Sequence, residues 1–224
     1  MEKTADNQNL MFERIYDPTQ DYKLSSSVYG AHAKIIGYVG HNKKVLDVGC
    51  GSGYLGKILK EHSCSVVGIE SDEARANEAK KLLDNVILGD AETINELPFP
   101  LMFFDTIILA DVLEHMNRPD IFLSNIRKYL KKEGMIIVSV PNIARIDIRL
   151  KLLFGKFTYE NGGILDKTHL RFFTWSSINK LLDSCGFTVI AKDYSGIISR
   201  IRILRSLFRL LSFQFIIVGK PKEI

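Results

Sequence analysis

The sequence predicts an α/β protein whose sheet is largely parallel and carries helices on both faces. Three observations support this. From Lys43 onward, short runs of β-branched and apolar residues alternate with helical patterns. The helical stretches between consecutive runs are long enough to serve as crossovers between parallel strands. Residues 45–56, VLDVGCGSGYLG, set a buried strand, a glycine-rich turn and a helix start in direct succession.

Strands are expected at 44–49, 65–70, 86–89, 102–109 and 134–140, with helices at about 53–62, 72–84 and 119–131 between them. A charged turn, KKEG at 131–134, leads into the fifth strand. After Pro141 the pattern changes to a helix at 143–155, an irregular run rich in glycine and aromatics at 156–173, and a helix at 175–185 ended by Gly186. Two strands, 187–194 and 213–219, close the chain around an arginine-rich helical stretch at 197–211. Upstream, 10–24 reads as loop and 27–39 as helix, so 1–42 forms an appendage ahead of the first strand. No internal repeat or low-complexity linker divides the chain, which is read as one domain, 1–224, with an acceptor-side insertion at about 143–173.

Composition agrees with an ordinary globular chain. Of 224 residues, 46% are hydrophobic and 25% charged, which excludes disorder, collagen and coiled coil. A chain of this length buries roughly 70% of its unfolded surface, so a core needs neither disulfide nor structural metal. Cys50, Cys64 and Cys185 have no CxxC spacing, and an odd count favours a reducing, cytoplasmic compartment. The first seventeen residues lack the basic patch and apolar core of an export signal, and arginines interrupt the greasy stretch near the end before it reaches a membrane span. Residues 1–140 hold 16 basic and 20 acidic side chains, while 141–224 hold 14 and 6. The basic last third suits an anionic substrate or surface, or simply a solvated face.

The glycine turn demands close approach of backbone to a ligand, and the helix N-terminus behind it offers unpaired N–H groups. Two ligand classes compete. Gly51, Gly53 and Gly56 spell GxGxxG, and Glu70 follows Gly51 by 19 residues, as a dinucleotide fingerprint asks. Against this stands Asp47, a carboxylate inside the strand two residues before Gly49, which suits a ligand carrying an ammonium group rather than a pyrophosphate.

VLDVGCGSG resembles the first motif of class I S-adenosylmethionine (SAM) dependent methyltransferases. VVGIES, LGDAE, FDTIILADVLEHMNRPD and GMIIVSVPN follow in the order that family shows, each at a strand end. The resemblance implies a Rossmann-like, seven-stranded, mostly parallel sheet whose last strand is antiparallel between strands five and six. It implies SAM as cofactor, with Asp47, Gly49, Gly51 and Gly53 around the methionine part. Glu70, with Ser71 beside it, would accept both ribose hydroxyls. Asp90 and Ala91 would meet adenine, and the backbone around Ala110 and Asp111 would line the pocket. Read alone, Glu70 is also compatible with a surface residue and Asp90 with a turn former. Asp105 is expected to cap or pair structurally, and Cys50 to be small and packed.

Methyl transfer from a sulfonium is a direct displacement, so the protein chiefly aligns the reactants and excludes water. A base is needed only when the acceptor must lose a proton. His115, in DVLEH, and His169, in DKTHLRFFT, are the candidates, imidazole having the right unperturbed pKa. Each has a plainer alternative: His115 as a cap or pocket wall, His169 as an anchor of the insertion. DKTHLRFFT, followed by a helix and CGF, resembles a bacterial branch associated with surface-glycan and lipid-linked saccharide assembly and related to the ubiquinone-type O-methyltransferases. That implies a small-molecule, saccharide or lipid-linked acceptor, methylated at oxygen. The segment from Leu24 to Tyr29 and the 156–173 run would close over it. LADVLEH stands where an NPPY-like sequence would mark amino methylation. The acids and histidines show no metal-ligand spacing, so no metal is expected. A catalytically silent SAM-binding protein and a NAD-binding oxidoreductase are the alternatives. At 100° per residue Arg202, Arg205 and Arg209 fall within about 60° of one another on 197–211, which allows peripheral membrane contact or plain coverage of a sheet edge. Nucleic acid is disfavoured, since the basic residues are spread over helices.

Overall fold

The computed structural model describes residues 30–195 and 210–223. The expected loop at 10–24, the Leu24 to Tyr29 segment, the start of the 27–39 helix and the arginines of 197–211 lie outside the described residues.

Seven strands form one sheet: β1 (Lys44–Val48), β2 (Ser65–Glu70), β3 (Asn85–Leu88), β4 (Phe104–Ala110), β5 (Leu130–Pro141), β6 (Phe187–Ser195) and β7 (Gln214–Pro221). Their order is β3-β2-β1-β4-β5-β7-β6. The first five are parallel, and β7 is antiparallel to both β5 and β6. This is the Rossmann-like sheet that the motif order implies, with its last strand between strands five and six. The order reverses at β1 and β4, so the loops leaving these two strands diverge and open a crevice at their carboxyl ends.

Period-2 alternation sorts the side chains between two cores. Leu46, Val48, Ile107 and Leu109 face one layer with α4 (Pro119–Ile126) and α6 (Trp175–Ser184). Val45, Val66, Ile108 and Ile137 face the other, with α1 (Ala31–Val39), α2 (Tyr54–Glu61) and α3 (Glu73–Ala79). Asp47 falls on that second face, between Val45 and the glycine turn, and only 2% of it is exposed. Asp105 pairs structurally, as expected: it accepts the Lys44 backbone N–H at 2.9 Å and pairs with Lys131 Nζ at 2.6 Å.

Several expected boundaries differ. The helix expected to reach 131 stops at Ile126, and Arg127–Tyr129 form a tighter 3-10 turn. The Tyr129 hydroxyl there accepts the Leu97 N–H at 2.8 Å, and Leu130 already pairs with Phe104. KKEG is therefore a bulge within β5, not a turn before it: the partner jumps from Leu130 to Met135 while β4 advances from Phe104 to Thr106. Met102, expected in β4, has φ 55° and donates to Lys128 O, so the strand begins two residues later. The helix expected over 143–155 is confined to α5 (Ile146–Leu153), because Asn142 takes the preceding residues into a turn, its side-chain oxygen accepting the Ala144 N–H. α6 starts where Thr174 and Ser177 form a reciprocal capping box. All three cysteines are buried free thiols, and among the described residues no helix is long and apolar enough to cross a membrane.

Candidate active site

A cleft of about 870 Å³ opens at the carboxyl ends of β1, β2, β4 and β5, within the range of small-molecule sites. One wall is local. Gly49 and Gly51 turn out of β1 with φ 67° and 56°, which a side chain resists. A Cβ on Gly51 would project into open space, so glycine there keeps the cleft floor low. Gly53, expected beside the ligand, does not line the cleft. Its φ is 86° and a Cβ on it would lie 3.0 Å from the Ala79 Cα, so it serves the packing of α2 on α3.

Glu70 ends β2 at the rim of this wall. Its Oε2 accepts the Gly51 N–H at 2.8 Å, and its Oε1 accepts those of Ser71 and Asp72 at 3.0 and 2.9 Å. A carboxylate has about four acceptor sites. Three backbone N–H groups and the Ser71 hydroxyl engage it in shaping the loop, three of these donors at Oε1 and one at Oε2. Ser71, Asp90 and Ala91 line the cleft as expected, and Asp90 uses Oδ1 to accept the Glu92 N–H, leaving Oδ2 open. An adjoining apolar cavity of about 260 Å³, bounded by Ile69, Ala91, Ile94, Leu97, Phe122 and Tyr129, has walls suited to a flat aromatic base. Asp47 lies behind the glycine turn rather than on the cleft surface. Burial, with Glu70 as a second cause, pushes its carboxyl up to about 7.

The opposite wall is assembled from distant segments. Ala110 and Asp111 leave β4, and Asp111 takes φ 55°, an uncommon conformation for a non-glycine residue. Ser139 Oγ donates to it at 3.0 Å, and Gln214 Nε2 donates to its two oxygens at 2.8 and 2.6 Å. Burial raises the Asp111 carboxyl, and these donors and the two histidines oppose the rise. A 3-10 turn, Leu113–His115, then sets Glu114 and His115 against the irregular run, which is tied down where the Leu170 and Arg171 N–H groups donate to the Glu114 carbonyl.

His115 and His169, expected as separate candidates, meet edge to face with ring centroids 4.9 Å apart. His115 Nδ1 lies 3.2 Å from Thr168 O, and His169 Nδ1 lies 3.1 Å from Ile164 O. Beside them Glu114 is 1% exposed, and neither carboxylate oxygen has a hydrogen-bond partner. Burial, then the nearby Asp111, raises its carboxyl well above the ordinary range. Sequence reasoning passed over Glu114, Ser139 and Gln214. Glu114 adjoins His115 in DVLEH and was within reach of inspection, whereas nothing in the chain announces that Gln214 closes on a residue 103 positions earlier. Glu114, His115 and His169, which no sequence spacing links, bring one ligand atom each within 4.8 Å of one another.

Residues 28–192 match the family model described as a methyltransferase domain. A probable S-adenosylmethionine-dependent methyltransferase of Mycolicibacterium smegmatis is 27% identical over 147 residues, covering 66% of this chain and 52% of that protein. The mitochondrial ubiquinone biosynthesis O-methyltransferase of Rattus norvegicus is 28% identical over 159 residues, covering 65% of this chain and 44% of its own length. The chain thus spans about half the length of these relatives. In fold it is similar to magnesium protoporphyrin IX methyltransferase from Synechocystis with bound SAH, at TM-score 0.65 and 17% identity over 98% of this chain and 95% of that one. With the β1 glycine turn, the switch-point cleft and a family match over most of its length, the chain belongs to the methyltransferase domain family, in its class I, SAM-dependent form.

Proposed function

We propose that the protein transfers a methyl group from SAM to an oxygen of a small-molecule, saccharide or lipid-linked acceptor. One observation carries the reading: the paired histidines face the same cleft that begins at Gly51 and Glu70. A donor site and a proton-accepting site thus share one enclosure.

The residues present fit the cofactor. Gly51 leaves space where a Cβ would intrude, Glu70 keeps an acceptor site on Oε2, and Asp90 keeps Oδ2 for an exocyclic amine. Asp47 stands behind the loop with a carboxyl raised by burial, which the ammonium group of a bound cofactor would draw into its charged form. Bound there, SAM supplies a methyl group on a sulfonium, a good leaving group at neutral pH. The walls hold the acceptor oxygen in line and exclude water. The cofactor would supply the methyl group to the acceptor oxygen, its sulfur keeping the bonding pair, and the corner formed by His115 and His169 would take the acceptor's proton. Both imidazoles use Nδ1 toward backbone carbonyls, which can only accept, so Nδ1 carries the hydrogen and Nε2 keeps a lone pair. Residues 143–173 bound the acceptor side through Gly163, Asp166, Thr168 and His169.

Calorimetric titration with S-adenosylhomocysteine, followed by assay of methyl-labelled SAM against saccharides and phenols, tests the reading. Binding together with labelled product is expected. Binding without product across the panel would favour a SAM-binding protein without turnover, and absence of binding would overturn the cofactor site itself.

A further inference from the structure

A carboxylate that the chemistry leaves unused joins the two halves of the cleft. Glu92 follows Asp90 and Ala91 in the loop after β3, and it lines the cleft with them. Its Oε1 accepts the Arg118 N–H at 2.6 Å, and its Oε2 accepts the backbone and side-chain N–H groups of Asn117 at 3.0 and 3.1 Å. Both oxygens are thus engaged by a segment 25 and 26 residues away. Hydrogen bonds to a charged acceptor are roughly twice as strong as neutral ones. Burial acts to raise the Glu92 carboxyl, but the Arg118 and Asn117 donors and the Arg171 charge outweigh it and hold the group below the ordinary carboxylate range. Helix α4, which starts at Pro119, has no side-chain cap of its own, because Arg118 occupies that position. Glu92 stands in for one from the neighbouring loop.

From Asn117 the path continues to the acceptor wall. Asn117 O accepts Arg171 Nη2, and the Arg171 backbone N–H donates to the Glu114 carbonyl at 2.9 Å. Arg171 therefore holds the turn after β4 at two points, with its side chain and with its main chain. His169 lies two residues earlier, and its neighbour Leu170 donates to the same carbonyl at 2.8 Å. Asn117, Arg118 and Arg171 are all exposed, so each of these bonds competes with water and opens easily unless its partners are held still.

We propose that Glu92 is a positioning residue that couples the two halves of the cleft, so that a cofactor seated on the loop after β3 fixes Asn117 and, through Arg171, the run that carries His169. Asp90 Oδ1 accepts the Glu92 N–H at 2.9 Å, so a ligand drawing on Asp90 and Ala91 stiffens the backbone from which Glu92 projects. A stiffened Glu92 holds Asn117 more firmly, and ordering is shared along the chain of bonds with no change of fold. The acceptor wall then takes its working geometry when the methyl donor is present. This coupling rests on the cofactor site proposed above.

Hydrogen exchange of the full chain, followed by mass spectrometry with and without saturating S-adenosylhomocysteine, tests this. In wild type the ligand should slow exchange at residues 89–95 and also, by about fivefold or more, at 163–172. Glu92→Gln keeps the shape but replaces one acceptor oxygen by an NH₂ that opposes the N–H groups facing it. It should keep the slowing at 89–95 and lose that at 163–172. Arg171→Met, which cuts the path at its exposed far end and leaves α4 untouched, should show the same loss. A role confined to capping α4 predicts another pattern: Glu92→Gln speeds exchange at 117–122 with and without ligand, while the ligand-induced slowing at 163–172 persists in both variants. That pattern would overturn the proposal. Calorimetry on the same samples separates the two readings. Wild type that binds the ligand without slowing at 163–172 overturns the coupling alone, whereas absence of binding overturns the cofactor site and the coupling with it.

Discussion

The two walls of the cleft are built in opposite ways. The wall proposed for the methyl donor comes from consecutive pieces of chain, β1 with its glycine turn, the end of β2 and the loop after β3, each close in sequence to the helix or strand that holds it. The acceptor wall gathers the 3-10 turn after β4, the end of β5, the 160–170 run and the start of β7, and it is held by contacts such as Asp111 to Gln214, 103 residues apart. On the first of these walls the carboxylate of Glu70 accepts three backbone N–H groups that hold the loop, and Oε2 accepts only one of them. On the acceptor wall Glu114 is left without a donor. One wall has its carboxylate tied to backbone donors, while the other holds a buried carboxyl without a hydrogen-bond partner.

Four substitutions sharpen this contrast, and the largest effect belongs to the acceptor wall. His169→Ala should lower turnover by about 10²-fold or more while leaving S-adenosylhomocysteine affinity nearly intact. Steady-state rates and calorimetry on the same preparation check this, and normal turnover would remove His169 from the chemistry. Gly53→Val should act wholly on stability, at about 4 kcal/mol, since it combines strain at φ 86° with a collision against Ala79. Denaturant unfolding measures it, and a near-neutral result would mean that α3 moves away freely.

Asp47→Asn tests the buried charge behind the loop. The folded carboxyl is raised to about 7 from an unfolded 3.8, so the folded state holds the extra proton between these values. Wild-type stability should therefore fall as pH rises from about 4 to 7, with the full penalty present above 7. The asparagine variant should lack this slope and exceed wild type by about 4 kcal/mol at pH 8, yet bind S-adenosylhomocysteine more weakly. Unfolding curves at several pH values decide it; a slope that survives in the variant would assign the titration to another group. Gly51→Ala should cost only about 1 kcal/mol of stability, because its Cβ meets no atom, but should impair cofactor binding out of proportion. Equal losses in both would show that Gly51 serves the turn alone.

Reading from the residues reached unevenly into this molecule. The seven strands, their order and the antiparallel closing pair followed from alternating strand and helix patterns joined to the resemblance of the motifs. Gly49, Gly51, Glu70 and Asp90 line the cleft because a strand end, a turn and a helix start lie within a few residues. A glycine that admits a ligand and one that admits a neighbouring helix look alike in sequence, and Gly53 is packed against α3. KKEG misled for a related reason: four turn-forming residues read as a connection, whereas β5 continues through them as a bulge.

What the sequence by itself determined is whatever short-range chemistry encodes: apolar periodicity, glycine backbone freedom, the carboxylates at strand ends and hence the class of cofactor. What only the tertiary structure decided is the acceptor wall. Glu114 and His115 stand 54 and more residues before His169, and no local propensity links them. They meet because the run after α5 is pinned to the 3-10 turn by backbone hydrogen bonds to the Glu114 carbonyl.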